Sequence, residues 1–148
     1  MKTKIPPPIL ALLMIVIVYF SSLIIEPFTF NYQIVFSVFV VVIGLVCALT
    51  SFRLFAKHKT NINPFTPLET TSLVTDGLYR YSRNPMYLGL VLLTIAATGF
   101  FGTWLGILIV IAFIFLLNLL QIIPEEEALL DIFCEESVKY KKRVRRWI

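Results

Sequence analysis

Two short stretches carry the side chains that could do chemistry. The first is "YRYSRNPMYLGL", Tyr79 to Leu90, where Arg80, Arg83 and Asn84 run into Pro85 and an apolar segment. Asn is a favoured N-cap and Pro a favoured first helical residue, so the spacing predicts a helix that starts at Pro85. A helix N-terminus also offers unpaired N–H groups and partial positive charge, and two guanidiniums beside it would complete a site for a carboxylate or phosphate. Arginines at such a place also serve simply to face lipid headgroups. The second stretch is Glu125-Glu126-Glu127, directly after Pro124. Acids suit the first turn of a helix, and a carboxylate pair at low dielectric also attracts a cationic ligand. Taken singly, each stretch is explained as well by structure as by function.

The elements that must position these residues are membrane helices. The 148-residue chain is 58% hydrophobic and 15% charged, with a mean hydropathy of +0.86, which is too apolar for a soluble domain of this length. Cys47 and Cys134 form no CxxC spacing and His58 is the single histidine, so no metal site is expected. Four apolar runs come near the ~20 residues a bilayer requires: 9–25, 32–52, 85–101 and 104–123. Lys2 and Lys4 precede the first run, but it is too long for a signal peptide. Ile24-Ile25-Glu26-Pro27 also lacks a small-residue cleavage site, so the run reads as a retained span. Pro6-Pro7-Pro8 marks its entrance.

Every Lys and Arg lies before the first run, between the second and third, or after the fourth; the connections 26–31 and 102–103 contain none. The positive-inside rule then places both termini and the middle loop, 53–84, in the cytoplasm. The net charge of +4 is thereby accounted for, and no nucleic-acid partner is expected. The expected fold is an all-α membrane protein, one domain over 1–148. It has four transmembrane helices, a cytoplasmic loop and an amphipathic C-terminal helix, and sits in a prokaryotic cytoplasmic membrane among its lipids.

Gly102-Thr103 dictates a tight hairpin between the last two spans, with Trp104 anchoring its tip, and Ala96, Ala97, Gly99 and Gly102 allow close helix contact. The loop holds Phe65, Leu68, Leu73, Val74 and Leu78, too many apolar side chains for a linker, and is expected to pack over the mouth of the bundle. In the tail, 125–148, Leu129, Phe133, Tyr140, Val144 and Trp147 recur at helical spacing with Ser137 as the interruption. Acids come early and bases late. This topology sets the arginines and the glutamates on one rim, on neighbouring spans. An anion site facing a carboxylate pair matches a zwitterion such as an amino-acid moiety, and S-adenosylmethionine has that moiety plus a sulfonium.

Gly77, Tyr79, Arg83, Asn84, Pro85, Tyr87 and Gly89, followed by Glu125, Glu126, Leu129, Phe133 and Tyr140, form a joint pattern. Over residues 60–148 the chain resembles the membrane methyltransferases related to isoprenylcysteine carboxyl methyltransferase and phospholipid N-methyltransferase. The resemblance implies a pocket for S-adenosylmethionine capped by the loop and tail, with a lipophilic or prenylated acceptor entering from the bilayer. It maps cofactor contacts onto Arg83, Asn84, Pro85, Tyr87, Gly89, Glu125 and Glu126, with Tyr79 and Arg80 lining the same pocket. Arg83, Asn84, Glu126 and Arg146 form the expected catalytic set, Arg145 or Arg146 reaching back to an anionic group of the acceptor. Three positions depart from the family pattern: Asn84 stands where many members have His, Cys134 where the family has Gly, and Ser137 where it has Tyr. An amide cannot titrate, so Asn84 is no general base.

Methyl transfer from a sulfonium is an in-line displacement that rests mainly on holding the reactants in line in a dry site. A carboxylate acceptor needs no base; an amine needs one only if it arrives protonated. The first expectation is therefore a methyltransferase acting on an isoprenylcysteine-like carboxylate or another small amphiphile. The alternatives are a phospholipid or amine N-methyltransferase, a nicotinamide-dependent reductase of similar membrane architecture, and a non-enzymatic scaffold or lipid-binding protein.

Overall fold

The computed structural model describes residues 5–57 and 73–148, and among these every regular element is helical. The elements are α1 (Pro7–Ile24), α2 (Gln33–Lys57), a 3₁₀ turn (Gly77–Arg80), α3 (Pro85–Phe101), α4 (Trp104–Leu117), a π turn (Asn118–Ile122) and α5 (Ile123–Arg143). Helices α1, α2 and the continuous rod that begins at Trp104 are long and apolar enough to cross a membrane; α3 is an apolar helix of 17 residues. Lys2, Lys4, His58, Phe65 and Leu68 lie outside the described residues.

Proline starts both α1 and α3, where its missing N–H deprives the helix of nothing. Helix α2 continues past the apolar run through Arg53 to Lys57, because no Gly or Pro stops it there. The end of the loop packs as expected of its apolar residues: Val74 is buried with Tyr79, Tyr140 and Val144 against Leu54, Phe55 and Leu73.

Gly102 ends α3 in the left-handed region at φ 65°, and a Cβ there would stand 2.1 Å from the Phe28 carbonyl oxygen. The same close approach lets the Phe28 N–H donate to the Gly102 carbonyl at 2.7 Å, while Trp104 packs on Phe28 at 4.6 Å. Leu10, Met14 and Val18 of α1, Tyr87 and Val91 of α3, and Ile109, Phe113 and Leu117 of α4 form the main core. Helix α2 packs on α3 through Gly44 and Gly89 and leaves Phe39, Val42, Val46 and Leu49 exposed, as a lipid-facing helix would.

Two features of the C-terminal half were not expected. Pro124 does not separate α4 from a tail helix. Its ring would clash with the carbonyl four residues back, and the π turn relieves this by widening the ladder, the Ile123 N–H reaching back to the Asn118 carbonyl. The buried Gln121 in that turn donates to the Ile5 carbonyl at 2.8 Å and ties the rod to the start of α1. The tail is also not one straight amphipathic helix. Cys134 has φ 37° and ψ −107°, which breaks α5 into two arms. Ser137 is buried with Tyr140, so the position that interrupts the apolar stripe still faces inward.

Candidate functional site

The kink at Cys134 decides what the tail can reach. Glu126 and Lys141 are fifteen residues apart, a separation of ~22 Å along a straight helix. Yet Lys141 Nζ donates to the Glu126 carbonyl oxygen at 3.1 Å and lies 3.8 Å from its Oε2. The second arm therefore folds back along the first. Val144 then leaves the helix in extended conformation, and the last residues run past the entrance of α3.

There the tail and the "YSRNP" stretch join through backbone. The Arg83 N–H donates to the Arg145 carbonyl at 3.0 Å, and Asn84 Nδ2 donates to the Arg146 carbonyl at 3.0 Å. Asn84 holds the N-cap position of α3 as the spacing predicted, but its side chain caps nothing. Its Nδ2 is turned to the tail carbonyl, and Ser82 Oγ accepts the Asn84 N–H at 3.1 Å. The approach to this corner needs Gly77, at φ 57°, where a Cβ would come within 2.6 Å of the Leu54 side chain.

This docking directs three cations onto one acid. Arg146 forks onto Glu126, Nε to Oε1 at 3.1 Å and Nη2 to Oε2 at 2.8 Å, and Arg83 Nη2 meets Oε1 at 3.0 Å. Lys141 completes the set. Glu126 is 15% exposed and Arg83 13%, so the pair is largely removed from water, where forked contacts are strong. Among the described residues, Arg83 Nε is buried without a hydrogen-bond partner.

Glu125 has different company. It is partly buried, and Tyr87 Oη donates to its Oε1. Burial pushes the Glu125 carboxyl up to about 7, with a further push from Glu126, against the pull of the Tyr87 hydrogen bond. Behind it lies a tyrosine pair in which Tyr140 Oη donates to the Tyr79 carbonyl at 2.7 Å. The Tyr79 ring stands edge-on to Phe55 at 5.5 Å. Burial raises the Tyr140 hydroxyl to about 12, opposed by the charges of Arg83 and Arg143.

A family model described as phospholipid methyltransferase matches residues 32–136, from the start of α2 to just past the kink in α5. The chain belongs to the phospholipid methyltransferase family. It is also similar to an uncharacterized protein of Haemophilus influenzae, 44% identical over 63 residues that make up 43% of this chain and 100% of that one. No solved structure matches it. As a member of this family the protein is a multi-pass membrane protein of the methyltransferase class.

The family match contains Arg83, Asn84, Glu125 and Glu126 but stops before Lys141 and Arg146, whose place in the cluster rests on the fold alone. Of the residues singled out from sequence, Arg83, Asn84, Glu126 and Arg146 converge, and Tyr87 and Glu125 adjoin them. Pro85 is buried in the first turn of α3, and Tyr79 lies behind the cluster against Tyr140. Arg80 is exposed, with no ion pair among the described residues, and Arg145 contributes its carbonyl. Gly89 faces α2, where a Cβ would meet the Gly44 carbonyl oxygen at 2.6 Å, so its role in this fold is helix packing.

Sequence reasoning passed over Lys141 and Ser82. Lys141 is one of a run of similar bases, and only the turn at Cys134 brings it to Glu126. A groove of about 430 Å³ lined by Thr50, Arg53, Leu54, Lys57, Gly77 and Leu78 lies on the α2 side of the 3₁₀ turn, apart from the acids.

Proposed function

We propose that this family member is an S-adenosylmethionine-dependent methyltransferase whose acceptor is a lipophilic molecule drawn from the bilayer. On this reading the site faces the cytoplasm, the side on which the basic residues concentrate. One observation carries the proposal: Arg83, whose buried Nε is unpartnered among the described residues, and Arg146 meet Glu126 at an uncapped helix entrance. Such a set suits a ligand that carries one carboxylate and one ammonium. The ligand's carboxylate would take Arg83 and the first N–H groups of α3, its ammonium would take Glu126, and the ion pair between these side chains holds their places in its absence. The bound donor supplies an activated methyl group. The chain's part is to bind, to orient and to exclude water.

The test is calorimetric titration of the full chain in detergent with S-adenosylhomocysteine. A saturable site is expected, weakened by Arg83→Ala and Glu126→Gln, and also by Arg83→Lys, which keeps the charge but loses the planar guanidinium. A scaffold whose rim charges serve only topology would show no saturable site. The family description favours a phospholipid amine as the acceptor over a prenylated carboxylate, and methyl-labelled donor offered with each would separate the two.

A further inference from the structure

The groove beside the 3₁₀ turn has no part in the charged cluster. Thr50, Arg53, Leu54 and Lys57 follow the i, i+3, i+4, i+7 spacing of a single helix face and form its α2 wall. Gly77 and Leu78 form the other wall, the turn reaching α2 at Leu54, where a Cβ on Gly77 would come within 2.6 Å. The space beside this contact is about 430 Å³. Thr50 Oγ1 donates to the Val46 and Cys47 carbonyls, so its proton is already used. The side-chain donors that remain in the lining are the Arg53 guanidinium and the Lys57 ammonium, both exposed. Ion pairs among the described residues belong to Arg83, Lys139, Lys141 and Arg146, so neither of these two cations has an acid as partner there. The lining thus offers two positive charges and no negative one.

The depth of the groove is set by α2. Residues 33–52 carry no charged side chain and at 1.5 Å each span ~30 Å, the thickness of a bilayer core. Arg53 is the first charge past that length, and it stands with Lys57 at the level of lipid headgroups. On the core side of Arg53, the exposed Val42, Val46 and Leu49 lead up to it at helical spacing. An apolar track therefore runs along α2 into a cationic notch. A free phosphate would use the notch alone, whereas a lipid would use both. Two cations without an acid also repel the ammonium of a zwitterionic headgroup.

We propose that this groove is a binding site for an anionic phospholipid, separate from the site of methyl transfer. The lipid phosphate takes Arg53 and Lys57, its glycerol end lies against Leu54 and Leu78, and an acyl chain follows Leu49, Val46 and Val42. A lipid so seated joins α2 to the turn whose Tyr79 carbonyl accepts the Tyr140 hydroxyl, and so braces the wall behind the charged cluster. The assignment stands on the groove and its cations and does not depend on the methyltransferase reading.

The experiment is native mass spectrometry of the full chain in detergent, incubated with phosphatidylglycerol or with phosphatidylethanolamine. Retention of phosphatidylglycerol should fall about tenfold or more in Arg53→Gln/Lys57→Gln, the scale of two basic side chains at an anionic interface. Retention of phosphatidylethanolamine, wherever it binds, should stay near that of the parent. Lys139→Gln/Lys142→Gln removes the same charge elsewhere and should leave phosphatidylglycerol bound. Thr50→Trp keeps both cations but fills the groove, and should abolish retention in a chain whose unfolding temperature is unchanged. Glycerophosphoglycerol, the same headgroup without acyl chains, should fail to displace the lipid at equal concentration. The site is overturned if the parent retains no phosphatidylglycerol, if the Lys139/Lys142 control loses as much as the Arg53/Lys57 variant, or if that variant loses phosphatidylethanolamine in parallel. It is also overturned if the folded Thr50→Trp chain still holds the lipid. Displacement by glycerophosphoglycerol would make the notch a phosphate site and refute the lipid.

Discussion

The fold-back of the tail hangs on Cys134, and replacing that residue tests the geometry of the whole site. Its φ of 37° lies in the region that favours glycine, and an L side chain held there costs ~1–3 kcal/mol. The thiol contributes little in exchange: it is exposed, and its hydrogen bond to the Asp131 carbonyl spans a sulfur–oxygen distance of 3.8 Å. Cys134→Gly should therefore stabilise the protein by about 1 kcal/mol, after allowing for the larger entropy glycine loses on folding. Cys134→Val should destabilise it, because a branched Cβ fits positive φ worst. For a chain of this size about 1 kcal/mol corresponds to ~2–4 °C in thermal unfolding, measurable by differential scanning fluorimetry in detergent. Cys134→Pro goes further, since its ring fixes φ near −65°, prevents the turn and takes Arg146 away from Glu126. It should weaken S-adenosylhomocysteine binding as much as Arg146→Ala does. If Gly is neutral or harmful, Val is tolerated and Pro leaves binding intact, then the tail does not turn at this residue, and the convergence of Lys141 and Arg146 on Glu126 is wrong.

Other consequences can be checked with the same protein. Glu125 is raised from 4.5 to about 7, so the folded state binds more protons than the unfolded state between those values. Its contribution to stability is full below about pH 4.5 and is lost as pH rises through 7; Glu125→Gln should flatten that part of the unfolding profile. Gly89→Leu should separate α2 from α3, because the first added carbon already stands 2.6 Å from a backbone oxygen; a loss of ~1–3 kcal/mol by thermal unfolding is expected, whereas a residue serving only a ligand would change affinity alone. Glu126→Gln should destabilise the fold by about 3 kcal/mol or more, since it leaves Arg83 largely buried without its counter-charge; Arg83→Met in the same chain should recover part of that loss.

What could be read in the sequence follows the range of the forces involved. The bounds of α3 come from local chemistry, Asn-Pro at its start and a left-handed Gly102 at its end, and both hold even though the Asn84 amide turns to the tail instead of capping. Pro124 misleads for the same reason: read locally it marks a boundary, whereas the π turn before it shifts the hydrogen-bond ladder by one residue and lets the rod continue. The membership of the charged cluster was legible for Arg83 and Glu126, which lie on spans joined by a two-residue hairpin. Lys141 was not legible, because a helix presumed straight would carry it away from Glu126, and no residue type in "DIFCEES" announces a reversal. The one clue was the family's glycine where this chain has Cys134, and its meaning appears only with the positive φ. The same holds in reverse for Gly89, a motif glycine whose surroundings are Gly44 and Ala48 of α2. A glycine in a pattern states that a side chain would collide; whether with a ligand, a neighbouring helix or its own backbone is fixed by contacts that sequence spacing does not contain.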